Sequence, residues 1–338
     1  DVYKRQGSLL VEPVDSRGRC RSHDRERLDR SRQGVVHCSH YIERDAPERR
    51  RFRGPHDTVT VPETRGEILV HLEHGAAHED PVACPETPAV CHFPILCDVS
   101  GQSTDHIYFR QLLSGRDFAM NDPMAAQMVN FVYAIGDRRT GECLLVDPAY
   151  AVDDIIDAVE SDGMRVSGVL ATHYHPDHVG GSMMGHTIEG VARLLERTNV
   201  PVHVNKHEVP WVARTTGLGE NEIVGHESGD TVLAGAVEVT MVHTPGHTPG
   251  SQCFLTMGCL VSGDTLFLDG CGRTDLPGSD PGQMYESLSM LAGLPDDTVV
   301  LPGHQYSPSP AARLDDVRAN NYVFRPRSRE QWLMMFGR

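Results

Sequence analysis

Residues 166–171, VSGVLA, form an apolar run that reads as a buried strand, and THYHPDHVGG, residues 172–181, follows it without a break. His173, His175, Asp177 and His178 crowd into six consecutive positions there. Burying unpaired imidazoles and a carboxylate costs several kcal/mol, so a fold that keeps this strand inside has to compensate them. A metal ion is the usual compensation, and imidazole and carboxylate suit zinc, iron or manganese. The one-residue gap lets His173 and His175 converge on one ion, and Asp177 and His178 can face a second. Pro176 holds the turn open, while Gly180 and Gly181 permit close backbone approach.

Metal-type residues recur downstream in the same local setting. TPGHTPGS places His247 after the apolar run VEVTMVHT, VSGDT places Asp264 after CLVSG, and VVLPGH places His304 after TVVLPG. Each stands where a strand hands over to a loop, as a site built at a sheet edge requires. A polar surface loop explains one such cluster but not four strand ends of one kind.

The rest of the region alternates. MVNFVYAIG and ECLLVDPAY read as a hairpin joined by DRRTG. AVDDIIDAVESDG reads as an amphipathic helix with Val152, Ile155, Ile156 and Val159 on one face. TIEGVARLLERTN reads as a second helix, with Ile188, Val191, Leu194 and Leu195 aligned. VPVHVN, TVLAG, VEVTMVHT, SQCFLTM, CLVSGDT and TVVLPG read as strands, and DPGQMYESLSMLAGL and SREQWLMMFG as helices. Such alternation predicts an α/β fold with sheets covered by helices on their outer faces.

Residues 105–338 are expected to be the working domain. They carry 16 Lys and Arg against 30 Asp and Glu, whereas residues 1–104 carry 15 against 17. The first segment contains runs such as RGRCRSHDRERLDRSR, little periodic apolar pattern and no methionine before Met120. It is expected to be a disordered extension, or a translated stretch that is not a natural N-terminus, its opening DVYKRQ resembling a string that recurs in proteins translated from contaminated sequence assemblies. A net charge of −16 argues against a nucleic-acid partner. No run approaches the roughly 18 apolar residues of a membrane span, so no membrane partner is expected. No signal-peptide pattern opens the sequence, and none of the nine cysteines forms CxxC, which predicts free thiols in a reducing cytoplasm.

HxHxDH at 173–178, the TPGH histidine, the GD aspartate and the late GH histidine, in that order, resemble the metallo-β-lactamase superfamily over about residues 128–307. The resemblance implies an αββα four-layer sandwich with the metal site at the sheet edges. It also implies that His173, His175 and His247 hold a first metal and that Asp177, His178 and His304 hold a second, with Asp264 bridging. Two Zn2+ sharing a hydroxide would then attack a carbonyl, with Asp177 and Asp264 as catalytic carboxylates. GDTLFLDGCGRTD, residues 263–275, is similar to glyoxalase II-type thioester hydrolases and to persulfide dioxygenases. The expectation is therefore a hydroxyacylglutathione hydrolase-like enzyme acting on a small thiol-derived substrate. The alternative is a persulfide dioxygenase using one Fe2+ held by His173, His247 and Asp264. A non-catalytic binding protein of the same fold is a third reading, disfavoured by seven filled ligand positions. The oligomeric state, including a homo-oligomer, is left open.

Substrate contacts are harder to read. Arg273 suits a substrate carboxylate or, equally, a salt bridge to a neighbouring acid; Arg325, Arg327 and Arg329 of the basic cluster FRPRSRE suit the carboxylates of a thiol cosubstrate or, more readily, a helix-end ion-pair group. Trp211 and Trp332 are expected to be packing residues, Cys271 a small buried residue, and His186, His203, His207 and His226 surface or loop histidines.

Overall fold

Both strands flanking DRRTG are buried on two faces, which is why their apolar runs are nearly continuous rather than alternating. The computed structural model describes residues 105–337, which lie in the unit Thr87–Arg338. It also describes the backbone of a short antiparallel pair, β1 (Asp29–Arg30) with β2 (Val36–His37), in the unit Asp1–Glu86. The expectation for residues 1–104 otherwise lies outside the described residues.

From Ile107 the order is β3 (Ile107–Leu113), α1 (Pro123–Met128), β4 (Phe131–Asp137), β5 (Glu142–Val146), α2 (Val152–Ser161), β6 (Arg165–Leu170) and α3 (Pro176–Val179). Then come β7 (Gly181–Met183), β8 (His186–Ile188), α4 (Val191–Arg197), β9 (Val202–Asn205), α5 (Val209–Thr216) and β10 (Ile223–His226). A second series follows with β11 (Thr231–Ala234), β12 (Val237–His243), β13 (Gln252–Thr256), β14 (Cys259–Gly263), α6 (Pro281–Leu291) and β15 (Val299–Pro302). It ends with β16 (Ala312–Arg313), α7 (Leu314–Asn320) and α8 (Arg329–Phe336).

Two six-stranded sheets result, in the orders β10-β9-β6-β5-β4-β3 and β11-β12-β13-β14-β15-β16. Side-chain alternation divides the core into layers. In β5, Leu144 and Val146 face the layer between the sheets, where they meet Val239, Phe254, Val261 and Leu301 of the other sheet. Cys143 and Leu145 point the other way, onto Val152, Ile155 and Ile156 of α2. In the second sheet, Leu260 and Val300 face outward onto Met284, Leu288 and Trp332 of α6 and α8. Helix, sheet, sheet, helix is the expected αββα order.

One expected helix is shorter than its pattern. TIEGVARLLERTN begins as β8, paired with β7, and becomes helical only at Val191. Met184 and Gly185, at φ +51 and +81, turn the chain back after Gly181 and use its first residues as hairpin. Ile188, Val191 and Leu194 are still buried, so the apolar face was read correctly although its first member is a strand residue. The stretch 185–229 supplies β9, the edge strand β10 and, between them in sequence, α5. Among the described residues, no helix is long and apolar enough to cross a membrane.

Candidate metal centre

The strands preceding the metal-type residues end at one shared edge, and all seven side chains meet there. Within each of three groups, the ligand atoms lie within 4.8 Å of one another: His173, His175 and His247; His173, His178 and Asp264; and Asp177, His178 and His304. His175 Nδ1 stands 3.0 Å from both His173 Nε2 and His247 Nε2. His178 Nε2 is 3.2 Å from His304 Nε2, and His304 Nε2 is 3.6 Å from Asp177 Oδ2. Asp264 spans the two clusters, with Oδ2 3.7 Å from His247 Nε2 and Oδ1 3.3 Å from His304 Nε2.

The outer ring nitrogens explain why these imidazoles aim inward. His247 Nδ1–H donates to the Arg273 carbonyl at 2.8 Å and His304 Nδ1–H to the Met128 carbonyl at 2.7 Å. His178 Nδ1–H donates to Asp147 Oδ2 at 2.8 Å. The Thr172 hydroxyl donates to the same Oδ2 at 2.6 Å, so its oxygen is left to accept His173 Nδ1–H at 3.0 Å. Each contact assigns the proton to Nδ1 and turns Nε2 into the cluster, the arrangement that orients metal-binding histidines. Asn130 Nδ2 donates to Asp177 Oδ2 at 3.3 Å.

Asp147 closes strand β5 as Asp264 closes β14, and its backbone sits at φ +52, a conformation aspartate tolerates better than most residues. Its Oδ1 also accepts the Thr172 amide at 2.7 Å. The acid at the end of LLVD carried the same strand-to-loop signature as the seven residues and could have been found by it.

Glu208 has no such signal. It is fully buried, and its carboxylate accepts the Tyr174 amide at 2.8 Å, the Thr248 hydroxyl at 2.8 Å and the Gly250 amide at 2.7 Å. It therefore clamps the HYHPDH loop to the TPGHTPG loop, and burial pushes its carboxyl up to about 7.

The electrostatics suit a cation. Burial lowers His173 well below the usual histidine range, and burial with the neighbouring His247 takes His175 down to about 4, so these rings are neutral donors. Burial also disfavours charge on His178, yet Asp177, Asp264 and Asp147 push it up to about 10. Burial raises the Asp264 carboxyl, but His304 and His178 together hold it well below the carboxylate range. The carboxylates thus draw positive charge towards them, and a divalent cation is the natural counter-charge. Asp264 Oδ1 is buried without a well-formed hydrogen bond. A Cβ on Gly303 would lie 2.5 Å from that oxygen, and one on Gly272 would lie 2.9 Å from the His247 ring. Gly303 leaves room beside this ligand oxygen and Gly272 lets the chain pack against the outer side of the His247 ring, so the residues fit a metal ion.

The side chains of the remaining expected residues are not part of the seven-residue cluster. Arg273 pairs with Asp275 through two 2.9 Å contacts, one of the two roles its position allowed. Arg325 and Arg327 are exposed, between the 3-10 turn Tyr322–Phe324 and α8. Asn321, just before that turn, holds the 263–275 loop by accepting the Gly270 amide at 2.8 Å. Trp332 is core, and Cys271 is a half-buried free thiol. His203 and His226 stand 2.9 Å apart, and His207 stacks on His243, away from the seven-residue cluster.

The chain is 28% identical over 206 residues to a probable polyketide biosynthesis zinc-dependent hydrolase, BaeB, of Bacillus velezensis, covering 60% of this chain and 85% of that protein. It is 34% identical over 180 residues to the hydroxyacylglutathione hydrolase of Rhodospirillum rubrum, covering 53% of this chain and 63% of that protein. It therefore spans less than two thirds of the latter relative. The crystal structure of ETHE1 from Myxococcus xanthus superposes with a TM-score of 0.55 at 27% identity, covering 68% of this chain and 90% of that one. Residues 127–304, more than half of the chain, match the metallo-beta-lactamase superfamily, and the chain belongs to that superfamily.

Proposed function

We propose that residues 105–338 form a metal-dependent hydrolase that cleaves a thioester of a low-molecular-weight thiol. The observation that carries the reading is the convergence of five imidazoles and two carboxylates on a site with space for cations. In this reading His173, His175 and His247 would hold one divalent ion and Asp177, His178 and His304 another, with Asp264 placed between the two groups. Two Zn2+ so held would supply a water of lowered pKa and a Lewis acid for the thioester carbonyl. Asp177 Oδ2, steadied by Asn130 Nδ2, takes the proton of the attacking water and returns it to the departing sulfur. The products are a carboxylic acid and a thiol. Asp147 and Thr172 keep the His178 and His173 rings in the required tautomer. The relationship to a zinc-dependent hydrolase and to a hydroxyacylglutathione hydrolase supports this choice.

The test is thiol release from a panel of thioesters by the full chain, without oxygen, alongside its metal content. Near two zincs per chain with thiol release is the expected outcome. The similarity to ETHE1 favours a second reading, a dioxygenase of thiol persulfides with one Fe2+. About one iron per chain and oxygen uptake on glutathione persulfide, with no thioester cleaved, would select it.

A further inference from the structure

The chain has two tryptophans, and they occupy opposite environments. Trp332 is fully buried, and its indole N–H donates to the Pro281 carbonyl at 2.7 Å. Trp211, in the first turn of α5, is half-buried and stacks on Tyr174 with ring centroids 5.0 Å apart and planes at 23°. Tyr174 lies between two ligand histidines in sequence and meets His175 edge-on at 4.7 Å. Its hydroxyl donates to the Pro277 carbonyl at 3.2 Å. Pro249 and Gly278 complete the surface: a Cβ on Gly278 would stand 3.2 Å from Pro249 Cδ and 3.8 Å from Trp211 Cη2. None of these five residues is charged.

This surface stands where the metal cluster is open. Of the seven clustered side chains, five are buried, and only His175 and Asp264 are partly accessible. A substrate that reaches the reacting atoms past His175 therefore passes the Tyr174 and Trp211 rings. The pair is also held rigidly. Glu208 directly precedes α5, two residues before the proline that starts its helical turn with Trp211, and the same carboxylate accepts the Tyr174 amide. Glu208 thus ties the backbones of both residues together, its carboxylate accepting the Tyr174 amide and its carbonyl the Trp211 amide at 3.0 Å.

The geometry points to the Tyr174–Trp211 pair as the specificity determinant of the site, a flat apolar platform that selects thioesters with an aromatic or similarly planar acyl group over small hydroxyacyl ones. This rests on the thioester-hydrolase reading and narrows its substrate class. Stacking on an aromatic pair, with the accompanying loss of apolar surface to water, favours such acyl groups by about tenfold.

Two measurements on the metal-loaded full chain test it. The first compares kcat/KM for the phenylacetyl and acetyl thioesters of N-acetylcysteamine. The wild type is expected to prefer phenylacetyl about tenfold. Trp211→Ala should bring the ratio near one, chiefly through KM, and Trp211→Phe should restore most of it. Tyr174→Leu should act like Trp211→Ala. A wild-type ratio near one, or a Trp211→Ala variant that keeps the wild-type ratio while both rates fall, would overturn the platform. The second measurement does not need turnover. Phenylacetamide, unlike acetamide, should perturb the tryptophan emission of the wild type, and the change should vanish in Trp211→Phe. No change in the wild type overturns the platform. A change that persists while no thioester is cleaved keeps the platform and overturns the hydrolase reading instead.

Discussion

His178 Nε2 and His304 Nε2 stand 3.2 Å apart although 126 residues separate them in sequence. Each ring already gives its Nδ1 proton to a fixed acceptor, so two inward-facing nitrogens at this distance need a shared proton or a shared cation. A cation also offsets Asp177 and Asp264 beside them.

Metal removal should therefore destabilise the chain. At a free metal concentration one hundred times the Kd, binding to the folded state stabilises by about 2.7 kcal/mol. For a folded region of this size that corresponds to roughly 5–10 °C in Tm. Thermal unfolding with and without a chelator checks this, and an unchanged Tm would count against a bound metal.

Asp264→Asn keeps the shape of the side chain but removes the charge that reaches both clusters. Activity is expected to fall by about two orders of magnitude or more, and bound metal should drop in parallel. Full activity would refute the bridging role. His186→Ala is the matched control. His186 is exposed in β8, and its loss should change stability by no more than about 0.5 kcal/mol.

Glu208→Gln tests the clamp between the two ligand loops. A glutamine keeps one acceptor oxygen but turns an NH2 group towards the Gly250 amide, so metal affinity should fall roughly 10–100-fold, read by chelator competition. The same variant has a pH signature. The folded-state carboxyl lies near 7 against an ordinary 4.5, so the folded chain holds this proton more tightly than the unfolded chain. That stabilisation is complete below about 4.5, is lost as pH rises to about 7, and amounts to about 3 kcal/mol at most. In the metal-free protein, the wild type should lose this much relative to Glu208→Gln between pH 4.5 and 7. Parallel stability curves would show that Glu208 is ionised in the fold.

Asp147→Ala should be costly although Asp147 is not one of the seven clustered residues. It strands the His178 Nδ1–H, the Thr172 amide and the Thr172 hydroxyl inside the protein, at roughly 3–5 kcal/mol. Asp147→Asn keeps one accepting oxygen and turns its NH2 group towards the remaining donor or donors, so it should retain part of the stability and metal that Asp147→Ala loses. Denaturant unfolding of the two variants separates the effects. Equal losses would mean that the accepting oxygens do not matter.

The local sequence determined the strand ends and what they carry. The apolar runs need no tertiary information to be read, and His173, His175, Asp177, His178, His247, Asp264 and His304 all lie in the segments that follow β6, β12, β14 and β15. Sheets covered by helices were legible from the two periodicities that alternate along the chain, whereas the αββα order followed from the family resemblance that the motifs carry. Three things were decided only when distant segments met. The start of TIEGVARLLERTN became a strand because a hairpin turn at Met184 and Gly185 gave it a partner, and pairing outweighed helical spacing. Glu208 acquired its role from donors 34 and 42 residues away in sequence, which no local pattern encodes. Trp211 and Trp332 look alike in sequence, but packing buried one ring against α6 and left the other stacked on Tyr174 beside the cluster. Ligand types are set by local chemistry, whereas clamps and walls depend on which side chains the packed sheets bring within reach.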